Sequence, residues 1–177
     1  TLLARDIAAD DTTFSQLRLP SIPRLDQLQR ALADDEALLA YLVPGTGQYG
    51  SRPLVFVLTR STARVEFLTL KAVSDRVSLF GRLLEGRDDS DIQAAQRFYR
   101  DLLGAALSSL PAQITHLTVI PDGAIARLPW GALRDDAGQP LATRYSISLA
   151  PSASLWFSWR RQPAVPSSAA LVFSDPT

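Results

Sequence analysis

Any acid-base chemistry at an imidazole must begin at His116, the single histidine of a chain that contains no cysteine. A general base there would call on Asp122 as orienter and on Ser152 or Ser154 as nucleophile, the roles of a hydrolytic triad. The surroundings argue against it. Neither serine lies in a G-x-S-x-G elbow. His116 falls within an apolar strand, on the face of Thr118 and Ile120, whereas catalytic side chains of α/β sheets cluster beyond the carboxyl ends of strands. The expectation is a packed histidine with a hydrogen-bonded ring. The missing cysteine also excludes from this sequence a thiolate nucleophile and a thiolate-bound zinc, and one histidine excludes a multi-histidine metal site.

Other residue groups invite chemistry less strongly. Gly45-Thr46-Gly47-Gln48-Tyr49-Gly50 matches G-x-G-x-x-G, but that fingerprint cradles a pyrophosphate only when a helix follows the glycines. Here Pro53 and a Val/Phe-rich strand follow, so an inter-strand loop is expected and nucleotide binding is a minority reading. Asp34-Asp35, Asp88-Asp89 and Asp135-Asp136 read as solvated turns, where Asp is favoured by local backbone hydrogen bonds. Arg160-Arg161 complements a helix dipole and needs no ligand. Trp156 and Trp159 share a helix face suited to core or interface packing. Trp130, in Leu128-Pro129-Trp130-Gly131-Ala132-Leu133, is the better candidate for a recognition surface. No catalytic, cofactor-binding or metal-ligating residue is assigned.

The elements that must position these groups follow from periodicity. A length of 177 residues fits about one domain, and 46% apolar with 20% charged residues is the composition of a globular protein. Eighteen basic against eighteen acidic residues leave no net charge to recruit nucleic acid. The longest apolar stretches fall far short of the roughly 20 residues needed to cross a bilayer. Leu25, Leu28 and Leu32 mark a short amphipathic helix, and Ala37 to Val43 reads as a buried strand. Arg52 to Thr59 and Arg64 to Leu70 form a hairpin. A helix over about Ala72 to Leu84 precedes a second one, opened by a Ser90/Gln93 capping box and lined by Ile92, Ala95, Tyr99, Leu102, Ala106 and Leu107. Ile114 to Ile120 is a strand covered on both faces, ended by Pro121-Asp122-Gly123. Tyr145 to Leu149 alternates as a half-covered strand, Ser152 caps a helix carrying Leu155, Trp156 and Trp159, and Ala169 to Phe173 makes a further strand.

The run from His116 through Pro121-Asp122-Gly123 to Leu128-Pro129-Trp130-Gly131-Ala132-Leu133 resembles the opening strand and turn of CHAT domains, caspase-like modules found behind tetratricopeptide repeats. Tyr145 to Leu155, with Pro151-Ser152 at its helix start, is similar to the family's second strand and helix, and Ala170 to Phe173 to its third strand. The resemblance covers about Ile92 to Thr177, and Leu25 to Leu84 resembles the helix and hairpin that often precede the caspase-like part. It implies an α/β fold with caspase-like layering of helix, sheet and helix, truncated, with an N-terminal helix and β-hairpin subunit. The family's chemistry is a His/Cys dyad, a His-Gly after one later strand and a Cys at the end of another. Neither motif occurs here, and His116, followed by Leu117, is not the family's histidine.

The expected organisation is a linker or end of a helical region over 1–20, a helix/hairpin/helix subunit over 21–86, and the N-terminal portion of a CHAT domain over 90–177. A boundary would fall near Gly86 to Ser90, with a single continuous sheet as the alternative. The expected function is a non-catalytic scaffold portion of a CHAT-type cysteine peptidase whose dyad lies beyond Thr177, so that the chain alone hydrolyses nothing. The alternative is a protein-interaction module without peptidase activity, using the hairpin and the Trp130 surface. Expected partners are the remainder of the same protein, namely its C-terminal CHAT half and upstream repeats, together with protein or peptide ligands and a second copy joined through an exposed sheet edge. No cofactor, nucleic acid or membrane is expected, and a cytoplasmic setting is favoured.

Overall fold

A computed structural model of the chain describes residues 22–44, 52–86 and 90–161. Strands β1 (Glu36–Leu42), β2 (Leu54–Thr59), β3 (Ala63–Phe67), β4 (His116–Ile120) and β5 (Ser146–Leu149) form one sheet in the order β3-β2-β1-β4-β5. β1, β4 and β5 run parallel, while β2 is antiparallel to both β1 and β3. The sheet is therefore continuous across Gly86 to Ser90. Its centre is β1, which comes from the first half of the chain and pairs Glu36 with His116 and Ala40 with Ile120.

Side-chain alternation divides the sheet into two covered faces. Ala37, Leu39, Tyr41, Val55, Val57, Leu117 and Val119 point into the larger core. Against them pack α2 (Val73–Glu85) through Val77 and Phe80, and α3 (Ser90–Tyr99) through Ala95 and Phe98. Leu38, Leu58 and Ile120 face the other way, under Leu28 of α1 (Leu25–Ala31) and under Trp156 and Phe157 of α5 (Ala153–Arg161). A mixed α/β body with helices on both faces results.

The helix over residues 90–110 contains a feature that periodicity alone misses. α3 passes into a π-helical turn at Arg100–Gly104 and resumes as α4 (Ala105–Ser108). Ala95, Phe98 and Leu102 are buried at ordinary helical spacing, Leu103 is buried beside Leu102 within the π turn, and Tyr99 is only half-buried. Phe98 rather than Tyr99 is the core aromatic, with its ring 5.5 Å from that of Phe80. The Ser90 side chain on which the capping box depends, the Gly45 to Gly50 loop, Asp88-Asp89, residues 1–20 and the Ala169 to Phe173 strand lie outside what the structure describes. Ser152 acts as the cap expected of it, its hydroxyl accepting the Leu155 amide at 3.2 Å.

Candidate functional site

The carboxyl ends of the three parallel strands form the edge at which sheets of this class place ligands. Two of those ends are tied together: the Val43 amide, just past β1, donates to the Asp122 carboxylate, just past β4, at 2.7 Å. Gly123 follows with φ of 58°, a left-handed conformation that a side chain would strain, and starts a 3-10 turn over Gly123–Arg127. The Pro-Asp-Gly triplet therefore supplies a stop, a cross-strand acceptor and a reversal in consecutive residues.

The segment after that turn folds back under the helical layer. Trp130 is 2% exposed and packs its ring 5.2 Å from Tyr41. The expected Trp130 recognition surface is thus corrected: flanking Leu128 and Leu133, both buried, draw the indole into the core. Its Nε1 has no hydrogen-bond partner among the described residues. Tyr41 donates its hydroxyl to the Leu102 carbonyl at 3.1 Å, inside the π turn, and burial pushes its phenol well above the ordinary value. The carboxyl edge is anchored through Trp130, Tyr41 and Leu102.

The opposite, amino edge carries the charged groups. Glu36, whose side chain is 6% exposed, accepts hydrogen bonds from the Thr118 hydroxyl at 2.8 Å and from the Arg160 guanidinium. Arg160 also lies over the Trp156 ring, its guanidinium 5.3 Å from the ring centroid. Beside them is a cavity of about 500 Å³ lined by His116, Thr118, Ser148, Trp159 and Arg160. Arg160 was expected to serve only the dipole of its helix. It is instead the counter-ion of a buried carboxylate, a pairing that residues 124 apart in sequence do not advertise.

His116 differs from expectation in the same region. It is the first residue of β4, not its middle, level with the first residues of β1 and β5, and its side chain is 55% exposed. The face shared with Thr118 and the hydrogen-bonded ring are as expected. Nδ1 lies 2.9 Å from the Thr115 hydroxyl and 3.1 Å from Asp35 Oδ2. Both neighbours converge on one nitrogen. If Nδ1–H serves the carboxylate, it cannot also take the Thr115 proton, so the trio lacks the two-sided relay of a nucleophile, base and orienter.

The other sequence candidates are scattered. Asp122 and Ser152 stand at the carboxyl edge, the length of a strand from His116, and each is engaged in a backbone hydrogen bond. Ser154 lies in the first turn of α5. Asp34 meets Arg60 at 3.3 Å, and Asp135 accepts the Gln139 amide at 2.8 Å in a turn that needs Gly138 at φ 79°. Trp159 is 45% exposed, unlike its buried neighbour Trp156. Among the described residues, no three His, Asp or Glu side chains gather as metal ligands, and no helix is long and apolar enough to cross a membrane.

Residues 93–177 match the family model of the CHAT domain. This stretch is CHAT-domain sequence. No curated protein matches the chain. The CHAT stretch begins inside α3 and supplies β4, the Trp130 turns, β5 and α5, the same elements whose residues carried the resemblance. Its β4 is paired on one side by β1, which precedes the match, and the Asp122 to Val43 bond crosses the same border. The CHAT stretch therefore shares its sheet and its carboxyl edge with the helix and hairpin before it.

Proposed function

We propose that this chain is the amino-terminal supporting frame of a CHAT-type cysteine peptidase, of caspase-like architecture, whose His/Cys dyad is encoded after Thr177. The observation that carries the reading is the mismatch between edge and chemistry. The carboxyl edge of β1, β4 and β5 is braced by Asp122 and Trp130, yet the sole histidine stands at the other edge and no cysteine is present. A braced edge without a nucleophile suits a frame that receives its reactive groups from further polypeptide. The peptide substrate would then meet the dyad beside Asp122, with Tyr41 and Trp130 fixing the strand ends from below.

The test compares this chain with the polypeptide extended by its downstream sequence. The expected result is no peptide hydrolysis by the chain alone and, for the longer form, hydrolysis abolished when the strand-terminal cysteine is changed to alanine. Turnover by the chain alone, or a downstream sequence without His-Gly and cysteine, overturns the reading.

The second reading, an interaction module without peptidase activity, draws on the hairpin. Leu42, Phe56, Val65 and Phe67 stand side by side on one sheet face and are 42–58% exposed. Exposed apolar groups in register are the ordinary mark of a contact surface. In this reading the upstream repeats of the same protein cover them. Phe67→Ser would then loosen the repeats in the full-length protein, measured as faster proteolysis between repeats and hairpin. Unchanged proteolysis would remove this reading and leave the first intact.

A further inference from the structure

The outer surface of the α2 and α3 pair holds a groove of about 1180 Å³ that neither reading above uses. Its floor is apolar, made by Leu79, Leu83 and Ala94 over the buried rings of Phe80 and Phe98. Leu79 is 48% exposed, an unusual position for a leucine on a helix that already buries Val77 and Phe80 against the sheet. The walls are cationic. Lys71, Arg76, Arg97 and Arg100 line the groove, against one acidic residue, Asp101. A chain with as many acidic as basic residues thus concentrates positive charge in one concavity.

The helices run in opposite directions, as the Arg76 to Asp101 ion pair of 2.6 Å between the start of α2 and the residues just past α3 requires. The four cations therefore gather at one end of the groove, and Leu79, Leu83 and Ala94 continue toward the other. Arg76 is held in place by Asp101 and by the Phe98 ring, 4.8 Å away. Arg100 reaches Asp136 only at 3.6 Å, and Lys71 and Arg97 make no ion pair with any described residue. Charge is left over at this end.

We propose that this groove is a docking site for an amphipathic helix of a partner polypeptide, with an apolar stripe along its length and acidic residues clustered at one end. A third helix is what the cleft between two packed helices accepts, with apolar anchors at helical spacing. α2 is 13 residues long, which sets a matching partner length of about four turns. Clustered Asp or Glu would meet Lys71, Arg97 and Arg100, and a leucine or phenylalanine would cover Leu79. The apolar floor favours a peptide over a phosphate backbone, which would leave Leu79 and Leu83 uncovered. Because α2 precedes the CHAT match and most of α3 lies within it, such a helix would bridge the two halves of the chain.

The experiment selects ligands for the purified chain from a displayed library of amphipathic sequences of about 16 residues, roughly 24 Å when helical. Apolar residues are fixed at helical spacing and all other positions varied. The expected winners carry clustered acidic residues at one end. Their affinity falls on the order of tenfold or more for Arg97→Glu and for Leu79→Ser, and falls with added salt. Both side chains are exposed, and circular dichroism of each variant verifies that the fold is retained. Winners without acidic bias, or binding that neither variant weakens, overturn the proposal. So does an unstructured oligonucleotide that binds more tightly and loses affinity with Arg97→Glu, since the groove would then be a phosphate site.

Discussion

The Val43 amide and the Asp122 carboxylate meet at 2.7 Å across the exits of two neighbouring parallel strands, 79 residues apart in sequence. One is the last step out of β1, the other the middle of Pro-Asp-Gly. Because Asp122 is followed by a left-handed Gly123, its carboxylate is presented sideways to β1 while the chain turns away. Asp122→Ala leaves a partly buried amide without acceptor and should cost about 1–3 kcal/mol, the usual range for a buried donor left unsatisfied. Gly123→Ala should cost roughly 1–2 kcal/mol through the left-handed backbone alone. Urea unfolding checks both, with lower midpoints and unchanged slopes.

The Glu36 carboxylate is buried and depends on Arg160 for its counter-charge. Arg160→Ala should destabilise the fold by about 1–3 kcal/mol, below the full range for a buried pair because Arg160 itself is 42% exposed. Glu36→Gln introduced into the Arg160→Ala background should recover part of that loss, since a neutral amide costs less to leave unpaired than a charge. A double-mutant cycle measured by chemical unfolding reads the coupling. A second substitution that adds to the loss would show the pair to be independent.

Trp130 presents a ring that packs and an indole N–H that has no acceptor among the described residues. Trp130→Phe should therefore be mild, about 1–2 kcal/mol for lost apolar area, because no hydrogen bond is lost with the nitrogen. Trp130→Ala should cost about 3–5 kcal/mol by leaving a cavity beside Tyr41. Thermal unfolding of the two variants distinguishes a packing role from a polar one.

Burial holds the Tyr41 phenol protonated far above its ordinary value near 10. A raised folded value means that the stabilisation is fully present below pH 10 and is lost as pH rises beyond it, because the unfolded chain then releases its proton first. Stability should fall by up to about 1.4 kcal/mol per pH unit from this residue above pH 10. Tyr41→Phe should lose the bond to Leu102 at neutral pH and show a shallower alkaline decline. Phenolate absorbance recorded along an alkaline titration checks this: ionisation of Tyr41 should coincide with unfolding. Tyr99, raised by burial and then by Tyr145 and Asp135, adds to the decline in the wild-type chain and in the variant alike.

Local periodicity located the described strands, since Ala37 to Val43, the 52–70 hairpin and Ile114 to Ile120 each advertise burial in their own residues. The Ser152 cap and the Pro-Asp-Gly stop were also legible, being chemistry within four residues. What escaped notice depends on contacts made at long range. Arg160 has no reason to be paired until α5 crosses the start of β1. His116 looks internal from its apolar followers, yet β4 begins with it. Trp130 resembles a surface aromatic until Leu128 and Leu133 are seen to be buried on either side. Phe98 and Tyr99 are equally plausible core aromatics from the sequence, and only packing against Phe80 settles that Phe98 is the buried one.

Placing β1 between β2 and β4 has a consequence for the order in which the protein is made. Glu36 and His116 are neighbours in the sheet but about 80 residues apart in the chain, so at roughly 5–20 residues per second β1 waits several seconds for its second partner to be synthesised. During that interval β1, β2 and β3 can close as a local meander, one flank of β1 unsatisfied and Ala37 and Leu39 still facing water. The nascent chain thus carries an unpaired strand flank through translation, while the helices encoded next, α2 and α3, are the first available cover for the Ala37 and Leu39 face.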